Sequence, residues 1–255
     1  MKLAVSNLAW SLNEDIVKLS RLFNRYDVRR IELAESKKNF HELLQNNDVV
    51  SMQSILFGHK ENLFGSQTER DCLMTALKKK KSIAKSLGCF HIVFGCPSNR
   101  RMLSDRSTRK QIEEASSFFK ELADYLPEVI VGFEPVSIRY NCNFVNDFNA
   151  AVQFVKLVDH PSFMVNLDLA NVHDSDITID DIKRNLCYVS HIHISETDLS
   201  EIRTAKILKE LIEHIESNKE LDDRLVFSIE AKDLTFEQLE RSIKFIKSFS
   251  KHEER

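Results

Sequence analysis

Four residues able to bind a hard cation stand at or near the ends of four separate apolar runs. Glu134 follows VIVGF, Asp168 follows FMVNL, His193 lies within VSHIHISE, and Glu230 follows LVFSI. Three carboxylates and one imidazole suit a single divalent cation with positions left for substrate oxygens. Mn²⁺ or Mg²⁺ fits this oxygen-rich set first, with Zn²⁺ or Co²⁺ as alternatives. Taken singly, each residue is as compatible with a helix cap or an ion pair. Their joint occurrence at successive strand ends is the stronger signal, because the end of a parallel strand is where a barrel presents chemistry.

The elements that must position these residues recur along the chain. Short apolar runs at Lys2–Ser6, Arg30–Leu33, Val49–Gln53, His91–Phe94, Val129–Phe133, Phe163–Leu167, Val189–Ile194 and Leu225–Ile229 read as strands. Segments with apolar residues at helical spacing separate most of them: Asn13–Tyr26, Thr68–Leu87, Thr108–Leu126, Asn146–Leu157, Glu201–Ser217 and Phe236–Phe249. Ser36–Asn47 is short for a full helix and Ile177–Asn185 offers at most two turns, so the crossovers after strands two and six are expected to be abbreviated. Eight βα units in 255 residues predict an α/β fold, a single (β/α)₈ TIM barrel. An open doubly wound sheet is the alternative. With five glycines, four prolines and no low-complexity linker, residues 1–255 read as one domain.

Composition narrows the function class. Lys and Arg total 36 against 39 Asp and Glu, a formal net charge of −3, which supplies no basic track for nucleic acid. The five cysteines are scattered without a CxxC spacing, so neither a disulfide framework nor a cysteine zinc site is expected. No run approaches a membrane span, and the reading is a cytoplasmic protein acting on a small molecule. A homo-oligomer is compatible with this reading.

The ordered segments RRIELAESK, MQSILFG, ENLFGS, IVFGCPSNR, GFEPVSIRYNCNFV, VNLDLAN, HIHISETDL and FSIEAKD make the chain resemble the xylose-isomerase-like sugar phosphate isomerase/epimerase family of (β/α)₈ barrels. The similarity spans nearly the whole chain. It implies that Glu134, Asp168, His193 and Glu230 occupy the family's metal-ligand positions, and that Glu134 and Glu230 are the catalytic pair that moves a proton at a sugar carbon beside the metal. The expected substrate is a small sugar, sugar phosphate or related polyol. The chain departs from ketose epimerases of this family in three places. Asn171 and a displaced His173 stand where Asp-x-x-His is common, Tyr140 where a second Glu is frequent, and Leu199 where Arg is frequent. The substrate shell is therefore expected to differ.

Further residues are candidates to touch substrate. Asn99 and Arg100 follow the fourth strand, and Arg100 is the better anion binder. Arg139, Asn143 and Glu196 follow ligand strands, while Glu32 and Gln53 stand near the ends of strands two and three. The competing roles are an ordinary surface arginine, loop caps and barrel hydrogen bonding. His191 should share a face with His193, being two residues away on one strand, as a support or as a satisfied buried histidine. The Lys78–Lys81 run reads as a solvated helix face. Two other functions remain open at this point: a noncatalytic sugar-binding barrel, and an endonuclease-IV-like metal hydrolase, which the scarcity of strand-end histidines disfavours.

Overall fold

A computed structural model describes residues 1–10, 15–35 and 47–250. All of Ser36–Asn47 except Asn47 lies outside the described residues. The apolar runs form eight strands: β1 (Lys2–Ser6), β2 (Arg30–Ala34), β3 (Asp48–Gln53), β4 (His91–Phe94), β5 (Ile130–Phe133), β6 (Phe163–Asp168), β7 (Val189–Ile194) and β8 (Val226–Ile229). Each pairs in parallel with its sequence neighbours, and β1 pairs with β8 through Leu3↔Phe227 and Val5↔Ile229. That last pairing closes the sheet into a barrel and excludes the open doubly wound alternative.

The helices begin where the sequence supplies caps. They are α1 (Ile16–Arg25), α2 (Gln67–Ser86), α3 (Thr108–Tyr125), α4 (Phe148–Val158), α5 (Leu169–His173), α6 (Ile179–Asn185), α7 (Lys206–Glu216), α8 (Lys219–Arg224) and α9 (Phe236–Lys247). Ser66 with Glu69, Thr178 with Asp181 and Thr235 with Gln238 form reciprocal capping boxes ahead of α2, α6 and α9. The crossover after β6 is abbreviated into the short α5 and α6, as the sequence predicts. Helix α8 was not anticipated, because six mostly charged residues carry no apolar period; Asn218 starts it by accepting from the backbone N–H groups of Glu220 and Leu221.

The two faces of the barrel wall are chemically opposite. Outside β4–β6, Phe94, Phe119, Phe133, Phe154 and Phe163 interlock, with centroid separations such as 4.9 Å for Phe94–Phe119 and 5.1 Å for Phe133–Phe154. Each fully buried ring contributes about 1.5–3 kcal/mol, so the abundant phenylalanines bind helices to barrel. Inside, a buried polar chain replaces the usual branched apolar layers. Ser51 Oγ lies 2.9 Å from His91 Nδ1, His91 Nε2 lies 2.9 Å from Ser190 Oγ, and the His91 ring stacks on His191. Gly132 makes room for this chain: a Cβ there would meet His91 Nε2 at 2.6 Å.

Candidate metal centre and cavity

The strand pairing carries on into the ligand candidates. The Glu134 N–H donates to the Phe94 carbonyl (3.1 Å), the Glu230 N–H donates to the Ile194 carbonyl (2.9 Å), and Asp168 stands opposite His193 in register. These backbone bonds bring three elements to one point. His193 Nδ1 lies 3.5 Å from Glu134 Oε2 and 3.2 Å from Glu230 Oε2, and one ligating atom from each of the three residues falls within 4.8 Å of the others. Asp168 lines the same cavity as Glu134 and Glu230 but stands outside this trio. Its carboxylate caps α5 through the N–H groups of Ala170 and Asn171 and accepts from the Ser195 hydroxyl.

Beneath the trio, His193 is gripped from its other side. Its Nε2 lies 3.1 Å from Glu32 Oε2, as does His191 Nε2 at 3.2 Å, while Gln53 Nε2 donates to Glu32 Oε1 at 2.6 Å and to Ser6 Oγ at 3.0 Å. With one proton on His193 Nε2 donated to Glu32, giving up the other to a bound cation would leave an Nδ1 lone pair on the side of the Glu134 and Glu230 carboxylates, the tautomer that metal-ligating histidines adopt.

Burial sets the charges. It pushes the Glu134 carboxyl well above its ordinary range, with the Glu230 and Asp168 charges adding to the effect against His193 and Arg100. Burial and Glu230 raise Asp168 to about 6, against Ser195 and His193. At Glu32 burial acts the same way, but the His193 charge and the hydrogen bonds from His191 and His193 outweigh it and hold the carboxyl well below the usual range. Burial disfavours the His193 cation, yet the Glu32 and Glu230 carboxylates outweigh this and raise it well above an ordinary histidine. A centre in which burial drives the Glu134 and Asp168 carboxyls to hold protons is one that a divalent cation would stabilise by displacing those protons. The donor set of two glutamates and one imidazole, with Asp168 on the same wall, fits such a cation.

The cavity above the centre has a volume of ≈ 340 Å³, within the range of small-ligand sites, and its mouth carries the exposed Phe57 and Tyr140. Gln53 and Asn99 line it, and their amide nitrogens are committed, Gln53 Nε2 to Glu32 and Ser6 and Asn99 Nδ2 to the His59 and Glu61 carbonyls. Arg139 borders a narrow side recess with Tyr140, Asp168 and Asn171, its guanidinium paired 3.0 Å from Asp174. The two departures Tyr140 and Leu199 are cavity walls.

Four residues expected to touch substrate, Arg100, Glu32, Asn143 and Glu196, do not line the cavity. Arg100 is fully buried behind Phe133 and does not project from its loop. Glu32 is fully buried beneath His193, leaving no surface for a ligand. Asn143 is spent on bridging the N–H and carbonyl of Met102, and Glu196 on the N–H groups of Arg203 and Thr204; neither lines the cavity. Asn166 was missed: its Nδ2 lies 3.3 Å from Glu134 Oε2 and 3.2 Å from His193 Nδ1. The available signal was its position two residues before Asp168 on one strand, which places both on the same face.

A family model for the xylose isomerase-like TIM barrel matches residues 18–248. The chain belongs to that family. Among solved structures, D-psicose 3-epimerase from Clostridium cellulolyticum H10, crystallised with D-tagatose, superposes with a TM-score of 0.76 at 16% identity, covering 99% of both chains. The apo 3-keto-D-glucoside 4-epimerase from E. coli gives 0.75 at 15%, covering 97% of this chain and 99% of that one. An IOLI protein with a bound zinc atom gives 0.66 at 17%, covering 98% and 96%. At these identities the likeness establishes the fold of this xylose isomerase-like barrel. No curated protein sequence matches the chain significantly.

Proposed function

We propose that this xylose isomerase-like barrel is a divalent-metal-dependent isomerase or epimerase of a small sugar or related polyol. The observation that carries the reading is the convergence of Glu134, His193 and Glu230 within 4.8 Å of one another, with Glu134 and Glu230 lining a cavity at the strand ends. With Asp168 on the same wall, these residues would hold the cation, for which the carboxylate-rich donor set favours Mn²⁺ or Mg²⁺ over Zn²⁺ or Co²⁺. The bound cation supplies Lewis-acid stabilisation of the oxygen beside the reacting carbon. Glu134 and Glu230 approach His193 Nδ1 from two different strand ends and both line the cavity, so a substrate in that cavity would meet two carboxylates. One takes the proton from the carbon next to the carbonyl, the C–H electron pair becoming the enediolate. The other returns a proton to the opposite face for epimerisation, or to the neighbouring carbon for isomerisation.

The family resemblance and the epimerase folds among the structural neighbours support this class. Tyr140 and Leu199 as cavity walls support a substrate other than that of the ketose 3-epimerases, and a binding role without catalysis is the contrary reading that experiment must separate. The metal-replete protein, incubated in D₂O with a panel of ketoses, keto-glycosides and their phosphates, is expected to place solvent deuterium on a single carbon of one of them, followed by NMR. Tight sugar binding with no exchange anywhere in the panel would favour the noncatalytic barrel instead.

A further inference from the structure

Arg100 follows a 3₁₀ turn at Pro97–Asn99 and is fully buried. Its guanidinium carbon sits 4.6 Å above the Phe133 ring, and Nη2 donates to the backbone carbonyl of Glu134 at 2.7 Å. Nε and Nη1 have no hydrogen-bond partner among the described residues. Burying a permanent cation is costly unless it is paired, and packing on Phe133 alone would be served as well by an apolar side chain. Burial disfavours the Arg100 cation, and the neighbours that act against this are Cys142, which lies within hydrogen-bonding reach, then Glu134 and Cys96; of these three only Glu134 belongs to the ligand trio.

We infer that Arg100 is a positioning residue for Glu134: its Nη2 bond fixes the peptide that leaves β5, and its buried charge steadies the carboxylate in the ligand trio. The inference rests on the metal-centre reading above. It also explains why the turn at Cys96, in the left-handed region at φ 38°, is tolerated. Such a turn redirects the chain after Gly95, and the residues beyond it carry Arg100 to the back of Glu134 instead of into solvent.

Co²⁺ titration of the metal-stripped protein, read by visible absorption, tests this without turnover. Arg100→Met, which preserves the packing stem, is expected to weaken Co²⁺ binding by ~10–100-fold, as loss of a supporting partner does elsewhere, and to alter the visible bands. Arg100→Lys, which keeps the charge without the planar fork, is expected to fall between Met and wild type and to cover the case in which the Met variant does not fold. In a Glu134→Gln background the Arg100→Lys substitution should change Co²⁺ affinity little further, because both act through one ligand. A general loss of packing would instead lower the unfolding temperature and leave affinity and spectrum unmoved; folded Lys or Met variants with wild-type titrations overturn the inference. Wild-type protein that binds no Co²⁺ would sink the metal-centre reading and this inference with it.

Discussion

His193 Nε2 lies 3.1 Å from Glu32 Oε2, with both side chains fully buried, so a residue of β2 sets the ring orientation of a residue on β7 from inside the barrel. The same glutamate oxygen lies 3.2 Å from His191 Nε2. Glu32 therefore acts on the centre through histidine. Glu32→Gln, which keeps the shape but loses the charge, is expected to weaken divalent metal binding by ~10–100-fold, measured by Mn²⁺ or Co²⁺ titration. Unchanged affinity would confine Glu32 to packing.

The acid shifts make stability depend on pH and metal together. Asp168, raised from 3.8 to about 6 by burial and by Glu230, holds its proton more tightly folded than unfolded. Its stabilising contribution is complete below its ordinary value and is lost as pH rises through about 6; Glu134, also raised by burial, acts in the same direction. Buried His91 and His191, held below an ordinary histidine, act in the opposite direction, so the effect is read as a difference: chelator-stripped Asp168→Asn is expected to lose less unfolding temperature than wild type on going from pH 5 to about pH 8, and Mn²⁺ should stabilise wild type more effectively at the higher pH. Thermal unfolding with and without chelator checks both; a metal effect that is largest in acid would contradict the ligand assignment.

Glu134→Gln separates stability from function. Removing a carboxylate that burial and its neighbours drive to hold a proton should raise the unfolding temperature of the metal-stripped protein at neutral pH, by about 2–4 °C for each kcal/mol gained. The same substitution should reduce the stabilisation that metal gives. A variant less stable than wild type in chelator would show that the Glu134 carboxylate is well solvated.

For the chemical step, Glu134→Gln and Glu230→Gln should each suppress solvent-deuterium exchange by roughly 10²–10⁴-fold, the usual contribution of a positioned general acid or base. The double variant should fall little below either single one, since both serve one metal and one substrate. Metal content measured beside exchange distinguishes a lost base from a lost ligand. Metal-replete single variants exchanging at the parent rate would remove both glutamates from proton transfer.

Gly132→Ala tests the polar lumen. The added Cβ would sit 2.6 Å from His91 Nε2 and 3.3 Å from Asn166 Cβ, so His91 must break its contacts with Ser51 and Ser190 or the strand must shift. A destabilisation of about 1–3 kcal/mol is expected, read from urea unfolding; a neutral substitution would mean the histidine chain is loosely held.

Strand positions and the four strand-end residues were legible in the sequence because both depend on local pattern. A short apolar run ends where a charged residue leaves the wall, and this holds for Glu134, Asp168 and Glu230 whatever the rest of the chain does. Closure was not local: only the pairing of β1 with β8 turns eight strands into a barrel and brings Glu32 of β2 beneath His193 of β7. The polar residues in RRIELA and VSHIHI therefore looked like separate features until the sheet curled them onto each other. Arg100 shows the same limit at a loop, where an exposed cation was expected after GCPSN. The tertiary structure buries it, because the turn at Cys96 folds the segment back and the Phe133 ring and Glu134 carbonyl, supplied by the next strand, give the guanidinium a face to stack on and a partner to bond. Periodicity records which face a residue takes on its own element, whereas the identity of its neighbour across the barrel is decided by chain closure and by loop geometry, which no spacing in the sequence encodes.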